Sequence, residues 1–231
     1  PLIRALRGDD DRIRGEAAAT LGEIGNPAAV GPLVDALAAG LPAAADALVA
    51  IGRPSVLPVL ALLERETGAA RETAVEVLGR LGAPEAVPAI VALVRSGGDR
   101  LHRRAVDALV GIGEPAVDAL IPLLGEDGDG HAGAAAALTG IGEASVPPLV
   151  GALDDGSART RMGAALVLKR LGWAPAGVEE QAAYLIALQR WPDAAGLGAP
   201  AVAPLAARLA DLDPAVQAGA AAALLRIGAP A

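Results

Sequence analysis

LVGIG at residues 109–113 and LTGIG at residues 138–142 are two copies of one motif, Leu-x-x-Ile/Leu-Gly. Further copies are LGEIG at 21–25, LGRLG at 78–82 and LLRIG at 224–228. With two more copies, LVAIG at 48–52 and LKRLG at 168–172, the closing glycines are Gly25, Gly52, Gly82, Gly113, Gly142, Gly172 and Gly228. Successive closing glycines are 27, 30, 31, 29, 30 and 56 residues apart, so the last interval hides one more unit. A period near 30 residues predicts a repeat of two short helices joined by turns.

The order of residues within a unit predicts a first helix, a polar turn and a second helix. Val87, Ile90, Val91 and Val94 recur at spacings of three and four, as on one face of a first helix. The polar turns are predicted at 96–99, 126–130 and 154–157. The second helix is clearest at 213–228, where Asp213 can cap it and Pro214 can open it. We expect the Leu and Ile of the motif to face the core, and the glycine to end the helix in a left-handed conformation.

The composition favours closely packed helices. The chain has 231 residues and is 53% hydrophobic, yet aromatic residues make up only 1% and Phe is absent. Alanine runs at 134–137 and 220–223 give the second helices a low-profile face, so that neighbouring helices can approach closely. A single hairpin cannot bury its apolar side alone, but stacked hairpins can. We therefore predict an all-α fold, a right-handed α-solenoid.

The consensus D-x-x-V-R-x-x-A-x-x-A-L-x-x-I-G resembles HEAT repeats, specifically the short HEAT-like variety first associated with phycobilisome lyases. The resemblance covers essentially all of residues 1–231 and implies one armadillo-like superhelical array. First helices would lie on its convex side and second helices on its concave side. The predicted units end near residues 25, 52, 82, 113, 142, 172 and 228, with an atypical unit at 173–198. Both ends interrupt the repeat pattern, so we expect a segment of a longer protein.

Charge and residue content argue against several functions. A net charge of −8 disfavours nucleic-acid binding, which needs many basic residues. No apolar run is long enough for a membrane span, and there is no cysteine for a disulfide or a thiolate metal site. We find no catalytic set and expect no metal or cofactor. HEAT-repeat di-iron hydroxylases use His-Glu pairs, which this chain lacks. A cytoplasmic location is expected, and the oligomeric state is open.

A column of cations is the first candidate binding site. The position eleven residues before each closing glycine holds Arg14, Leu41, Arg71, His102, His131, Arg161 and Gln217. The resemblance implies a structural ladder, in which an Asp six residues before the Arg bridges adjacent units, as Asp155 and Arg161 would. The acid is missing before His102 and His131, which would leave both rings available to a ligand. Both interpretations, ladder and ligand-facing groove, stay open.

Charges beside the column predict a mixed surface. Arg103 and Arg104 follow His102, whereas Asp46, Glu76 and Asp107 form an acidic column six residues before the glycine. An acidic or phosphorylated peptide could dock near 100–104.

The segment 173–198 holds every aromatic residue, namely Trp173, Tyr184 and Trp191. Residues 177–191 are predicted as one helix, with Glu179 and Glu180 suited to its positive N-terminal end. The rings either fill space left by a degenerate second helix or form an exposed anchor for a protein partner.

Two function classes follow. The first is a non-catalytic scaffold or adaptor that binds a protein or peptide on its concave face. Its partner-binding candidates are Arg14, Arg71, His102, Arg103, His131, Arg161, Trp173, Tyr184 and Trp191. The alternative, implied by the resemblance, is a bilin-lyase-like enzyme or accessory subunit that acts on a protein-bound tetrapyrrole.

Overall fold

The computed structural model describes residues 1–96 and 100–228. Most of the predicted polar turn at 96–99, and residues 229–231, lie outside the described residues. Helices account for most of these described residues, and no strand occurs among them. Close contacts divide the chain into two compact units, which we call unit 1, Pro1–Ala116, and unit 2, Val117–Ala231.

Unit 1 is a series of helix pairs in which first and second helices alternate. Its helices are α1 (Leu2–Ala5), α2 (Asp11–Ile24), α3 (Val30–Ala38), α4 (Pro42–Ile51), α5 (Val56–Arg65), α6 (Gly68–Arg80), α7 (Val87–Ser96) and α8 (Arg100–Ile112). The even-numbered helices are the predicted second helices. Among them, α2 packs along α4 and α6 packs along α8, so the hairpins stack side by side.

Unit 2 continues the same alternation with shorter elements. Its helices are α9 (Val117–Leu120), α10 (Asp129–Ile141), α11 (Val146–Gly151), α12 (Ala158–Arg170), α13 (Val178–Ala187), α14 (Trp191–Gly196), α15 (Ala199–Ala207) and α16 (Pro214–Gly228). Short 3-10 turns extend the C-terminal ends of three first helices, at Ile121–Gly125, Ala152–Asp154 and Arg208–Ala210. The pairs α13/α15 and α14/α16 pack together, as stacked hairpins require.

The motif glycines from Gly25 to Gly172 follow second helices and have positive φ angles. Gly25, where α2 ends, has a φ of 68° and adopts the predicted left-handed conformation. Gly52 and Gly142 differ from the prediction, because their ψ angles of −140° and −134° lie outside the left-handed helical region. The expectation for Gly228 is wrong, because this glycine lies within α16 and its φ is not positive. At the start of α16, the Asp213 carboxylate accepts a hydrogen bond from the Ala215 N–H at 2.8 Å, which confirms the predicted cap.

The leucine of the motif forms the core. It is buried in six units, as Leu21, Leu48, Leu78, Leu109, Leu138 and Leu168. The first-helix face predicted from Val87, Ile90, Val91 and Val94 is also buried. The residue directly before the glycine varies, since Ile112 is buried whereas Ile24 is 59% exposed. The prediction that both apolar motif positions face the core therefore holds for the leucine and fails at Ile24.

Small residues allow second helices to approach closely. A Cβ added at Gly22 would lie 2.8 Å from the Ala47 Cα, and one added at Gly79 would lie 2.6 Å from the Ala108 Cα. Both distances are too short for a real side chain, so the glycines are required where α2 meets α4 and where α6 meets α8. These contacts set a short interhelical distance and a shallow surface between the helices.

By length and composition alone, residues 129–154 are long and apolar enough for a membrane-spanning helix. Gly142, with a φ of 77°, breaks this stretch into α10 and α11, joined by a 3-10 turn at Gly142–Ser145. A span needs about 20 consecutive helical residues, more than α10 or α11 has. The stretch is therefore a hairpin of two short helices.

The atypical segment is a compressed hairpin. The predicted helix at 177–191 ends earlier, at Ala187, and Trp191 begins α14 instead. Glu179 and Glu180 do occupy the first turn of α13, as expected. Gln189 has a φ of 55° and is the one positive-φ residue other than glycine in the described chain. This turn lets α14 follow α13 after three residues and supplies the unit that the 56-residue interval hides.

Candidate binding surface on the second helices

The two histidines of the cation column hydrogen-bond to the end of a first helix. His102 Nδ1 lies 3.0 Å from the carbonyl oxygen of Val94 in α7, and His131 Nδ1 lies 2.9 Å from that of Leu124. A carbonyl oxygen only accepts, so Nδ1 carries the proton in both rings. The sequence predicts that both rings are available to a ligand, but the Nδ1 atom of each ring is occupied by this hydrogen bond. Each ring instead satisfies a helix-end carbonyl that has no partner within its own helix.

Other members of the column make the same contact. Arg14 Nε donates to the Leu6 carbonyl oxygen at 3.2 Å, just beyond the end of α1. Gln217 Nε2 donates to the Asp211 carbonyl oxygen at 2.7 Å, just beyond a 3-10 turn. In four hairpins, therefore, the side chain at this position fastens the second helix to the end of its own first helix.

Arg161 combines this contact with a buried ion pair. Its Nη1 donates to the Asp155 carbonyl oxygen at 2.8 Å, and its Nη2 lies 2.5 Å from Asp211 Oδ2. The side chains of Arg161 and Asp211 are 2% and 3% exposed. The predicted partner, Asp155, contributes only its backbone, and the bridging carboxylate comes from the loop before α16. This geometry is that of a structural ladder.

Two positions of the column lack that contact. Leu41 is buried as part of the apolar core. Arg71 is half-buried, and its Nε has no hydrogen-bond partner within the part of the chain that the structure describes.

The three aromatic residues lie in unit 2 and pack within it. Trp173 and Tyr184 form an edge-to-face pair with ring centroids 5.6 Å apart. Trp191 packs against the core cluster that includes Ile186, and a Cβ added at Gly219 would overlap its ring. All three rings are half-buried. The Trp191 ring thus occupies the space that a side chain at position 219 would need.

A groove crosses the second helices of unit 1, and we call it the unit 1 groove. It consists of two cavities of about 350 Å³ each, one between α4 and α6 and one between α6 and α8. Both cavities are lined by Glu76 and Arg80, so they adjoin. The second cavity has a floor of small residues, Gly79, Ala108 and Gly111.

Ion pairs between second helices form the walls of this groove. Arg80 of α6 lies 2.8 Å from Asp46 of α4. Arg104 of α8 pairs with Glu76 and lies 3.2 Å from Glu72, both on α6. The positive density predicted at 100–104 is therefore largely neutralised, since Arg100 also lies 3.1 Å from Glu72. The acidic column was visible in the sequence, but its pairing with arginines of the next second helix was not recognised.

Two charged residues of α8, Arg103 and Asp107, have no ion-pair partner among the residues that the structure describes. Asp107 is exposed and lines the second cavity. Arg103 is also exposed and lies one turn before Asp107 on α8.

Unit 2 has a smaller groove of about 270 Å³, lined by His131, Met162 and Leu166 among others. An exposed ion pair lies at its rim, where Arg159 Nη1 is 2.5 Å from Asp127 Oδ2. The hydrogen bond to Asp127, and then the attraction between the two charges, raises the pKa of Arg159. Within residues 1–96 and 100–228, no three His, Asp or Glu side chains are grouped as a metal site.

Comparisons with known families agree with this architecture. The model of HEAT repeats matches residues 59–139, and the model of the PBS lyase HEAT-like repeat matches residues 13–39. The chain contains HEAT-like repeats. The predicted all-α solenoid of HEAT-like helix pairs is thereby confirmed, whereas its handedness and the single array over 1–231 stay predictions.

Comparison with solved structures gives human deoxyhypusine hydroxylase in complex with glycerol, at 20% identity over 98% of this chain and 94% of that chain. The TM-score is 0.37, so this similarity carries no information about the activity of the HEAT-like repeats. Comparison with curated proteins gives no significant match.

Proposed function

We propose that this protein is a non-catalytic scaffold that binds a protein or peptide along the unit 1 groove. The observation that carries the proposal is the continuous groove across α4, α6 and α8, with a shallow floor and charged walls. HEAT repeats commonly mediate protein interactions, which agrees with a surface of this kind. Cavities of about 350 Å³ are large enough to receive side chains of an extended segment.

Preorganisation favours binding at this surface. The ion pairs of Arg80 and Arg104 hold these long side chains along the groove wall before a partner arrives. A partner then loses less free energy to the ordering of interface side chains. The small floor residues leave room for partner side chains between the helices, so the shape of the groove contributes to binding as well as its charge.

The cation column has a different role in this proposal. Arg14, His102, His131 and Arg161 each direct a nitrogen to a backbone carbonyl that ends a first helix. These contacts support a structural role in which the column keeps each hairpin closed. Of the predicted basic candidates, Arg103 is the exposed one, and it lies on α8, the last helix of the groove.

A pair of matched substitutions tests the proposal. Ala69 on α6 is exposed and lines the groove, whereas Ala61 on α5 is exposed on the first helix of the same hairpin. Ala69→Arg places a long side chain in the groove, and Ala61→Arg places the same side chain on the other helix. We expect proteins captured by the wild-type chain from its own cells to be lost with Ala69→Arg and kept with Ala61→Arg. Equal capture by both variants would reject the unit 1 groove as the binding surface.

The lyase-like alternative is favoured by one observation, the match of residues 13–39 to the PBS lyase HEAT-like repeat. It predicts a visible absorbance change when the protein is mixed with a bilin and an acceptor protein. If the absorbance does not change, the lyase-like alternative is rejected.

A cytoplasmic location is also part of our proposal, and fractionation of cells that express the protein would test it.

A further inference from the structure

We infer that the unit 1 groove receives an uncharged aromatic side chain of its partner, in the cavity between α6 and α8. This inference rests on the proposed function, because it names the chemistry of the partner at the same groove. The evidence is a cavity whose charges balance, whose arginines are already paired, and whose floor consists of small residues.

The charges that line this cavity cancel. Glu76 and Asp107 contribute carboxylates, whereas Arg80 and Arg104 contribute guanidinium groups. A basic or an acidic side chain would meet repulsion as well as attraction here, and it would lose hydration on entry. The lining therefore favours an occupant without net charge.

Arg104 is fixed on the wall of this cavity by two carboxylates of α6. Its Nη1 donates to Glu76, and its Nε lies 3.2 Å from Glu72 Oε2. The N–H bonds of a guanidinium group lie in its plane, so these carboxylates occupy edges of the group and not its faces. Stacking on a flat cationic face is therefore the interaction that Arg104 still offers to a partner.

An aromatic ring matches this arrangement of charges. Its π-system is negative on the face and positive at the edge. The face can stack on the Arg104 guanidinium while the edge meets the carboxylates of Glu76 and Asp107. One ring thus uses both kinds of charge in the cavity, which an aliphatic side chain cannot do.

The floor of the cavity suits a flat group. It consists of Gly79, Ala108 and Gly111, none of which carries more than a methyl group, and the cavity of about 350 Å³ has room for a ring. The aromatic residues of this chain all lie at 173–191, and they pack within unit 2. A ring in this cavity therefore comes from a partner.

The test uses a library of random peptides displayed on phage and selected on the wild-type protein. Selected peptides are then synthesised with a fluorescent label, and their affinities are measured by anisotropy. We expect these peptides to share a Trp, Tyr or Phe. Replacement of that residue by leucine should weaken binding about three- to ten-fold, because leucine keeps the apolar contact but cannot stack on arginine.

Arg104→Lys tests the other side of the same contact, because it keeps the positive charge but removes the planar group. It should weaken the aromatic peptides about three- to ten-fold and leave their leucine variants nearly unchanged. Arg100→Lys is the matched control, since Arg100 pairs with the same Glu72 from the same helix but is not among the residues that line the cavity. This control should change the affinity of neither kind of peptide.

Three results would overturn the inference: selected peptides without an aromatic residue, aromatic peptides that bind equally to wild type and Arg104→Lys, or basic peptides that Asp107→Asn weakens. If such peptides still lose binding with Ala69→Arg, the proposed function stands without the inference. If no selected peptide responds to Ala69→Arg, or none is selected, the proposed function itself fails.

Discussion

The buried ion pair of Arg161 and Asp211 gives the sharpest test of how the hairpins are held together. Arg161→Met keeps much of the side-chain volume but leaves the Asp211 carboxylate buried without its counter-charge. It also removes the hydrogen bond to the Asp155 carbonyl. Removing one partner of a buried pair costs about 3–5 kcal/mol, because an uncompensated charge stays in a region of low dielectric constant. We expect a loss of this size in the free energy of unfolding of unit 2.

Urea unfolding followed by tryptophan fluorescence is the suitable assay. Both tryptophans, Trp173 and Trp191, lie in unit 2, so fluorescence reports on this unit, whereas circular dichroism reports on all helices. A double-mutant cycle with Asp211→Ala should give a coupling energy of about 2–3 kcal/mol between positions 161 and 211.

The control is the exposed ion pair of Arg159 and Asp127, which involves the same helix α12. The corresponding cycle with Arg159→Met and Asp127→Ala should show no measurable coupling, since water and salt screen this pair. The reasoning would be refuted if Arg161→Met and Arg159→Met lowered the free energy of unfolding equally. It would also be refuted if the coupling energy between positions 161 and 211 were zero.

Two further predictions concern the packing of the hairpins. Leu109→Ala and Leu138→Ala should each cost about 2–5 kcal/mol in urea unfolding, because each removes a fully buried side chain, whereas Leu57→Ala, at a residue 67% exposed, should cost little. Gly79→Ala should destabilise by about 1–3 kcal/mol, because its new methyl group would overlap Ala108. Gly31→Ala on α3 should be neutral or stabilising, because a Cβ at this position meets nothing within 4 Å. A lower thermal stability of Gly31→Ala than of Gly79→Ala would contradict the packing.

The repeat could be predicted from the sequence because its determinants are local. Burial of the leucine four residues before each glycine follows from helical periodicity, and the positive φ at Gly25 follows from the end of a helix. Gln189 shows where local signals fail, since nothing in the pattern places a left-handed residue between α13 and α14. The early end of α13 follows from that turn, and so does the position of Trp191 at the start of a new helix.

The proposed binding surface is harder to predict, because it depends on distances between helices. The column of His102 and His131 follows from the spacing to the closing glycines, but its carbonyl partners depend on where the end of a first helix lies. In the same way, the spacing gives the column of acids at the groove but not the arginines that pair with them. The pairing of Asp46 with Arg80 depends on the short interhelical distance that the small residues permit.

The central claim is that the second helices of unit 1 form the binding surface, and carboxylate footprinting tests it most directly. In this measurement, exposed Asp and Glu side chains are labelled with a carbodiimide and an amine, with and without a partner protein captured by the wild-type chain, and the labels are read by mass spectrometry. The account predicts that labelling of Asp107 falls when the partner binds, while labelling of Asp35 and Glu64, exposed on the first helices α3 and α5, does not change. Protection of Asp35 or Glu64 with Asp107 still fully labelled would contradict it.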